Sequence, residues 1–519
     1  QTLVLINGKR RHATSLMNVN GTVARGQVGT DLNAIPMAAV ERIEVLRDGA
    51  AAQYGSDAIA GVINVVLKKN INKGEIRVRT GGLMAPPEAP DFLASADFNP
   101  YADNPDLASN TRNEAGGENF QVSANYGLSV GEKGGFVNLT LNYLKKNPFN
   151  RMDDYTIEMF SDDRRDDAVA EYAAFNQSDP AAIAAYNAKW GAQYGYAIVN
   201  ELNEHTGRRM ANVGGSGTTN AGIMYNTELP LSDKATFYSF GGYNYRLGRA
   251  TGFVRRPNQE ARQSGLWPLG FSPWLDSDIQ DFSATTGIRS DFNGWNVDLS
   301  NNYGSNSFAW TIFNSNNASL GLESGTSFQA GILDYSQNVI NLDVAKGLDV
   351  GFPLNTAFGA EFRLENFQQI AGQDESWQNY GATTSSGALR ESGSQVFPGY
   401  QRGNEIDKYR FNSGLYADFE AEFTDAWLVG LAGRYEDYSD FGDNFSWKLS
   451  SRYRITNNIT IRGAYSTGFR APSLPQKYFS SFTLQFISLP DGTIDGVNIA
   501  HLNDDSFVTR QFGIPNLKP

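Results

Sequence analysis

Arginine and aromatic side chains cluster in two long polar segments of the chain, 249–280 and 371–407. Aromatic rings stack on flat or sugar-like ligands and guanidinium groups pair with acidic ones, so this mixture suits the binding of a small molecule. The candidate ligand-binding residues are Arg255, Arg256, Trp267, Trp274, Trp377 and Tyr400. The same side chains could instead pack the segments themselves or form an aromatic belt at a membrane interface. For each single residue the sequence leaves these alternatives open.

Patterns for catalysis or metal binding are scarce. The chain contains no Cys and only three His, which are His12, His205 and His501. This composition excludes disulfides, thiol catalysis and thiolate metal sites. Carboxylate pairs occur in the segment 148–217, but they lack EF-hand spacing, so a solvated loop is favoured there over a calcium site. No nucleophile has a recognisable partner, and we predict neither an enzyme nor a bound metal or cofactor.

The composition places the chain among β-rich proteins. Its formal net charge of -13 argues against nucleic acid as a partner, because phosphate binding requires clustered Lys and Arg. No run approaches the roughly eighteen apolar residues of a membrane helix, which excludes a helical membrane protein. The 53 Gly, 24 Tyr and 32 Phe are typical of transmembrane β-barrels, whose apolar face is hidden by alternation. A soluble all-β repeat protein shares this profile.

The hydrophobic pattern divides the chain in two. Residues 1–70 read as a small mixed α/β unit. Across 74–519 the pattern has a period of two, and in 120–130 and 411–423 apolar residues alternate with polar or small ones. Alternation of this kind predicts strands that have one apolar and one polar face.

The connections between these strands are of two kinds. Short turns occur at 131–134, 231–234, 293–295, 424–426 and 456–458. Longer connections lie at roughly 85–117, 148–217, 249–280, 315–335, 371–407 and from 473 to the end. Short turns on one rim and long loops on the other are typical of an outer-membrane barrel. The pattern predicts about thirteen strands, each near the length that crosses a bilayer.

Two motifs resemble a known family. Residues 35–49 read IPMAAVERIEVLRDG, and residues 54–65 read YGSDAIAGVINV. They resemble the second half of the plug domain of TonB-dependent outer-membrane receptors, and 433–475 resembles central strands of the receptor barrel. The residues of the plug motif are Glu41, Arg42, Glu44, Arg47, Gly49, Tyr54, Gly55 and Gly61.

The four charged residues of the plug motif lie on or beside a strand, where a soluble core would have no charge. Because a plug lies in a polar lumen, we expect these charges to pair with inward charges of the barrel wall. The wall candidates are Arg77, Arg79, Arg434, Arg452, Arg454 and Arg462. The alternative is that the four charges are solvated ends of a surface strand. The three glycines are expected where the backbone needs positive φ or close approach.

The resemblance implies an all-β transmembrane antiparallel barrel, of about 22 strands when complete, with a small α/β plug in its lumen. About thirteen strands cannot close such a barrel, so we expect a fragment: 1–70 as the C-terminal part of the plug and 74–519 as a partial barrel with long extracellular loops. The N-terminal TonB box is expected to lie outside it. The resemblance also implies a monomer in the Gram-negative outer membrane, in contact with lipid.

The implied function is TonB-dependent import of a scarce or bulky nutrient, driven by the TonB energising complex. A ferric siderophore, an oligosaccharide and a cobalamin-like cargo all remain open as the small-molecule substrate. The alternative is a non-transporting surface β-barrel that serves in binding or adhesion. A soluble secreted β-rich enzyme is a third class, which requires the apolar strand faces to pack against a second sheet.

Overall fold

The structure of the protein is a computed structural model. It describes residues 2–19, 23–47, 51–84, 115–150, 174, 179–182, 185, 214–255, 259–267, 270–488, 494–503 and 506–515. Two predicted site residues, Gly49 and Arg256, lie outside these ranges, as do the carboxylate pairs of the segment 148–217.

The N-terminal unit, here called the plug, is a four-stranded mixed sheet in the order β2-β1-β4-β3. Its strands are β1 Leu3–Ile6, β2 Lys9–Arg10, β3 Val40–Leu46 and β4 Val62–Leu67. Strands β1 and β4 are parallel, whereas β3 runs antiparallel to β4. Short 3-10 helices Leu32–Ala34 and Met37–Ala39 and the α-helix Ala51–Tyr54 connect them.

The tight turn between β1 and β2 consists of Asn7 and Gly8, which have positive φ angles of 47° and 84°. Such a pair suits a two-residue hairpin, because its twist matches that of the flanking strands. The turn sends Lys9 and Arg10 back along β1, where both side chains become buried. The hairpin therefore places cationic residues at the edge of the plug.

The rest of the chain is dominated by β-strands. Within the described ranges, thirteen of them form one antiparallel sheet, here called the wall, with neighbours in chain order from β5 to β19. Strands β8 and β9, and strands β20 and β21, form two small separate pairs. The strands after the plug are β5 Lys73–Met84, β6 Ala115–Val130, β7 Gly135–Lys146, β8 Phe149–Asn150, β9 Gly214–Gly215, β10 Gly217–Pro230, β11 Ala235–Thr251, β12 Trp274–Phe292, β13 Trp295–Phe313, β14 Phe328–Asp349, β15 Pro353–Ala371, β16 Ile406–Thr424, β17 Trp427–Tyr438, β18 Gly442–Thr456, β19 Ile459–Ser466, β20 Ser481–Ser488 and β21 Ile494–His501.

Two short α-helices, Leu474–Tyr478 and Phe507–Gln511, follow the wall. Four 3-10 helices lie in the connections, at Glu260–Arg262, Ala318–Glu323, Asp374–Ser376 and Arg402–Asn404. In the part of the chain that the structure describes, no helix has the length and hydropathy needed to span a bilayer.

The predicted fold class is confirmed: a plug domain and a membrane-spanning antiparallel barrel sheet, of which the described chain forms thirteen strands. The short turns predicted at 131–134, 231–234 and 293–295 lie at one rim, and a turn at 350–352 lies there too. The longer connections 252–273, 314–327 and 372–405 lie at the opposite rim. We call these the turn rim and the loop rim.

The two faces of the wall differ in polarity. On β7, Leu139 and Leu141 are 41% and 55% exposed on the outer face, whereas Asn138 and Thr140 are buried on the inner face. The plug packs against this inner face through Ile6, Ile35, Ala39 and Val65, which contact wall residues Met224, Tyr238 and Phe240. The outer apolar face is therefore left for lipid.

Strands β12, β13, β14 and β15 contain 19, 19, 22 and 19 residues. About 9–11 residues are enough for a tilted strand to cross the bilayer. These strands are therefore long enough to extend beyond the hydrocarbon region.

Candidate functional site

A cavity of about 630 Å³ lies between the plug and the loop-rim ends of the wall. The plug contributes residues from Thr14 to Asp31, and strands β11, β12 and β13 contribute the opposite side. Residues 396–398, from the connection 372–405, complete the lining. The cavity is thus lined by the plug, the wall and a loop, so a ligand bound there would contact all three.

The plug side of the cavity is formed by residues 14–19 and 23–29, here called the plug loop. Backbone hydrogen bonds join Thr14 to Gly29 and Asn18 to Gln27, and a β-bridge joins Met17 to Val28. The base of this loop is attached to the wall by Ser15, whose backbone N–H and hydroxyl both donate to Asn306 Oδ1, at 2.9 and 3.0 Å. Ser15 is fully buried, so this attachment is shielded from water.

The wall side of the cavity is apolar and aromatic. Phe308 and Trp310 have ring centroids 4.4 Å apart, and Phe397 lies 5.5 Å from Trp310 on the loop side. Leu275 and Ile279 extend this surface. Ring surfaces of this kind stack on flat ligand groups. The sequence carries a local signal for this site: Phe308 and Trp310 lie on the face of β13 that is polar or glycine from Asn296 to Asn306.

One ion pair lies in this apolar lining. Arg246 of β11 donates to both carboxylate oxygens of Asp31, at 3.2 and 2.5 Å. Asp31 also accepts from the backbone N–H of Asn33 at 3.0 Å and so caps the 3-10 helix Leu32–Ala34. Among the described lining residues, these are the only two with a formal charge.

The connections above the cavity are held by their own hydrogen bonds. Arg255 is buried and donates from Nε to Gln395 Oε1 at 2.8 Å, and Arg262 pairs with Glu391 at 2.8 Å. Burial, together with the nearby Arg262 charge, lowers the pKa of Arg255 to about 10. Val396, next to Gln395, has a φ of 81°, which is unusual for a β-branched residue. The cavity roof is thus a constrained loop.

Below the cavity, Asp57 of the plug lies between guanidinium groups. Arg10 donates to Asp57 at 2.6 Å and Arg363 of β15 donates to it at 3.2 Å. Burial acts to raise the pKa of Asp57, but Arg10, Arg363 and Arg470 outweigh it and lower the pKa to about 2. Asp57 therefore carries a negative charge that bridges a plug cation and a wall cation.

Two further plug cations contact wall carboxylates. Arg11 pairs with Asp281 of β12, and His12 Nε2 lies 3.1 Å from the second oxygen of the same carboxylate. Lys9 lies 2.9 Å from Asp343 and 3.2 Å from Asp298. Burial and the adjacent Arg11 lower the pKa of His12 despite its contact with Asp281. The plug is thus attached to the wall by buried polar contacts along β2 and the residues after it.

Comparison with known proteins decides the family. Residues 224–519, more than half of the chain, match the family described as TonB dependent receptor-like, beta-barrel, and residues 1–62 match the TonB-dependent Receptor Plug Domain. The chain belongs to the TonB-dependent receptor family. The resemblance found in the sequence is therefore confirmed.

Curated relatives match this receptor over short segments. The probable TonB-dependent siderophore receptor PirA of Acinetobacter baumannii is 42% identical over 72 residues, which are 14% of this chain and 9% of that protein. The vitamin B12 transporter BtuB of Photobacterium profundum is 36% identical over 80 residues, which are 15% of this chain and 11% of that protein.

Solved structures match the receptor over nearly its whole length. The siderophore receptor PirA from Acinetobacter baumannii has a TM-score of 0.56 at 16% identity, with 97% of this chain and 58% of that chain covered. A variant of the ferric enterobactin receptor PfeA from Pseudomonas aeruginosa has a TM-score of 0.57 at 15% identity, with 93% and 56% covered. The chain thus spans little more than half the length of these solved relatives, and at this identity the likeness shows the fold.

Of the predicted ligand-binding residues of the receptor, the five that the structure describes do not line the cavity. Trp267 donates its indole N–H to Ser315 O at 3.1 Å, and Trp377 donates to Gly372 O at 3.3 Å. Tyr400 is buried edge-on against Phe397 and Phe479. With Arg255, these residues pack the receptor's connections, which is one of the alternatives that the sequence left open.

Trp274 lies on the outer face of the receptor wall. Its strand partner is Phe313, and the guanidinium of Arg249 lies 5.5 Å from its ring. Residues Leu275 and Ile279 of the same strand face the cavity instead, because successive side chains alternate across a strand. Trp274 is thus separated from the cavity by its own strand.

Within the described residues, the charges of the plug motif do not pair with the thirteen wall strands. Arg42 pairs with Glu44 of the same strand at 2.7 Å, Glu44 also accepts from Asn64, and Glu41 and Arg47 are exposed. β3 is the edge strand of the plug farthest from β2, whereas ion pairs with the wall come from residues such as Lys9, Arg11 and Asp57.

The wall arginines named from sequence find other partners or stay exposed. Arg434 pairs with the wall carboxylates Glu361 at 3.4 Å and Glu436 at 3.2 Å, and Arg77 pairs with its neighbour Glu75. Arg454 donates to the backbone oxygen of Asp425. The remaining three, which are exposed, are Arg79, Arg452 and Arg462.

The two glycines of the plug motif that the structure describes, Gly55 and Gly61, have positive φ. Gly55 has a φ of 90°, and a Cβ there would come within 3.2 Å of Arg10 and Glu436. Gly61 has a φ of 133° and packs against the backbone of Leu46. The backbone oxygen of Tyr54, which directly precedes Gly55, accepts a hydrogen bond from Arg10 at 2.8 Å. Gly55 thus allows the plug to approach the wall closely, whereas Gly61 allows close packing within the plug.

Proposed function

We propose that the protein acts in TonB-dependent import of a siderophore-type chelate across the Gram-negative outer membrane. The observation that carries this proposal is the cavity of about 630 Å³ bounded by plug, wall and loop together. A ligand held there touches the plug itself, so that its binding can be coupled to removal of the plug from the path of transport.

The nature of the plug contacts supports transport. Along one side the plug is attached by ion pairs and hydrogen bonds, such as Arg10–Asp57–Arg363 and Arg11–Asp281. Polar contacts can be exchanged for contacts with water when the plug moves, whereas an apolar interface resists hydration. We therefore propose the TonB energising complex as the partner that displaces the plug.

The lining of the cavity favours a chelate over an oligosaccharide. Sugars need many hydrogen-bonding partners, whereas the wall side here presents the apolar or aromatic Phe308, Trp310, Leu275 and Ile279 beside the polar Arg246 and Asn306. Flat aromatic groups, which many iron chelators carry, suit ring surfaces of this kind. The names of the relatives described above, which include siderophore receptors, point the same way.

The proposal is tested by uptake of iron. A strain that carries the gene is compared with a deletion strain for accumulation of radiolabelled iron from a panel of ferric chelates under iron limitation. Accumulation that requires both the gene and an intact TonB system is the expected result. Binding of a chelate without accumulation would instead favour a non-transporting surface receptor.

A matched pair of variants locates the site. Trp310→Ala removes an inner ring of the cavity, whereas Trp274→Ala removes a ring at the same end of the neighbouring strand on the outer face. Because an aromatic contact contributes about 0.5–1.5 kcal/mol, Trp310→Ala should weaken chelate binding by up to roughly tenfold. Trp274→Ala should leave it unchanged. If the two variants weaken chelate binding equally, the cavity is not the binding site.

A further inference from the structure

We propose that an anionic group of the ligand replaces Asp31 as the partner of Arg246, and that this exchange frees the plug loop that lines the cavity. The proposal rests on the proposed function, because it assigns a role to residues of the same cavity. It also names a chemical class: a ligand with an aromatic or apolar body and at least one carboxylate-like or otherwise anionic group.

The two partners are not equally accessible. The side chain of Arg246 is 17% exposed, whereas that of Asp31 is 6% exposed. Both lie at the cavity, but the guanidinium is the partner that an entering molecule can reach. A guanidinium presents a planar fork of donors that fits any carboxylate or similar anion in place of Asp31. The rest of the described lining has no formal charge, so Arg246 is the one cation there that an anionic ligand can contact.

Arg246 is held by the wall and Asp31 by the plug. Arg246 lies within β11, which pairs on both sides with β10 and β12. Asp31 lies just after the plug loop, and its side chain caps the helix Leu32–Ala34. Exchange of the partner would therefore cut a plug–wall contact without disturbing the wall.

Once displaced, Asp31 would be a buried carboxylate without a cation, which is strongly unfavourable. The plug segment must then move to bring Asp31 to water. On one side, movement is limited by Ser15, which is attached to Asn306, and on the other by Ile35, which packs against the wall with the plug core. The described residues between these two points, Val23 among them, are what the exchange would release.

The experiment uses two probes of the same shape and different charge, 2-naphthoate and 2-naphthamide, with the purified protein in detergent. Because the chain contains no Cys, Val23→Cys provides a single position for a spin label. Val23 is 95% exposed, so a label there does not disturb packing. Occupancy of the cavity is measured independently by quenching of tryptophan fluorescence. The quenching that is seen in the unsubstituted protein but not in Trp310→Phe is assigned to a probe in the cavity.

We expect naphthoate to bind at least tenfold more tightly than naphthamide and to increase the mobility of the label at saturation. Arg246→Gln should abolish the preference for the acid, and Asp31→Asn should make the label mobile without any probe. Arg249→Gln is the matched control, since Arg249 lies at the same end of β11 on the outer face and pairs with Asp276. It should behave like the unsubstituted protein.

Two results would overturn the exchange and leave the proposed function intact: equal binding of acid and amide, or quenching by naphthoate with no change in label mobility. In both cases the cavity is occupied, and chelate uptake remains to support import. Failure of both probes to quench Trp310, together with normal chelate binding by Trp310→Ala, would contradict the cavity as a ligand site and so overturn the exchange as well.

Discussion

The imidazole ring of His12, in the plug, occupies the space that a side chain on Gly304 of β13 would need. His12 and Gly304 are far apart in sequence, but the plug turn at Asn7–Gly8 and the register of β13 bring them together. Because Gly304 has no side chain, the wall has a notch at this position, and the notch receives the ring of His12. Beside it, His12 and Arg11 share the carboxylate of Asp281.

Gly304→Ala should destabilise the protein by about 1–3 kcal/mol, because an added methyl group in a packed site forces the neighbouring ring to shift. The measurement is the free energy of unfolding in detergent, or the midpoint of thermal unfolding. Gly463→Ala is the control, since a Cβ at Gly463 of β19 meets no atom within 4 Å. A similar change in both variants would argue against the notch.

Asp281→Asn should cost about 3–5 kcal/mol, because it leaves the guanidinium of Arg11 buried without its counter-charge. The side chains of Arg11 and Asp281 are only 3% and 4% exposed. Protection of plug amides from hydrogen exchange should fall in the same variant. Asp278→Asn, at a residue of the same strand that accepts from Tyr245 on the outer face, should change stability by no more than about 1 kcal/mol.

Asp57 should make plug docking depend on pH in the acid range. Its pKa of about 2 is below the usual value, so the ionised carboxylate contributes fully above about pH 4, and its contribution is lost as the pH falls to about 2. Asp57→Asn should therefore cost about 2 kcal/mol at pH 7, and the difference from the unsubstituted protein should narrow below pH 4. The control is Asp233→Asn, whose side chain is 97% exposed. A difference that is independent of pH would contradict the ion-pair assignment.

Leu141→Arg should destabilise the membrane-inserted protein by roughly 2–4 kcal/mol if the residue lies near the middle of the bilayer, because the outer face meets lipid. Asn142→Arg, at the next residue of β7, places the same charge on the inner face and should cost less. Unfolding in urea from lipid vesicles measures both. If Arg is tolerated equally at the two positions, the assignment of the faces is wrong.

The sequence was sufficient for the class of the fold because alternation is a local property. Leu139 and Leu141 against Asn138 and Thr140 define two faces before any tertiary contact is known, and Asn293–Gly294 marks a hairpin turn by its need for positive φ. The plug motif predicted the family, and the glycines Gly55 and Gly61 have the geometry that the motif suggested.

Only the tertiary structure decided which side chains meet. Charge alone suggested Glu41 and Arg42 as wall contacts, but the strand order of the plug places Lys9 and Arg11 there instead. Aromatic residues in long connections suggested the ligand site, but Trp267 and Trp377 use their polar atoms to hold the loops. The cavity forms where Asp31 meets Arg246, residues 215 positions apart. Such contacts depend on strand register and docking, which no local pattern in the sequence specifies.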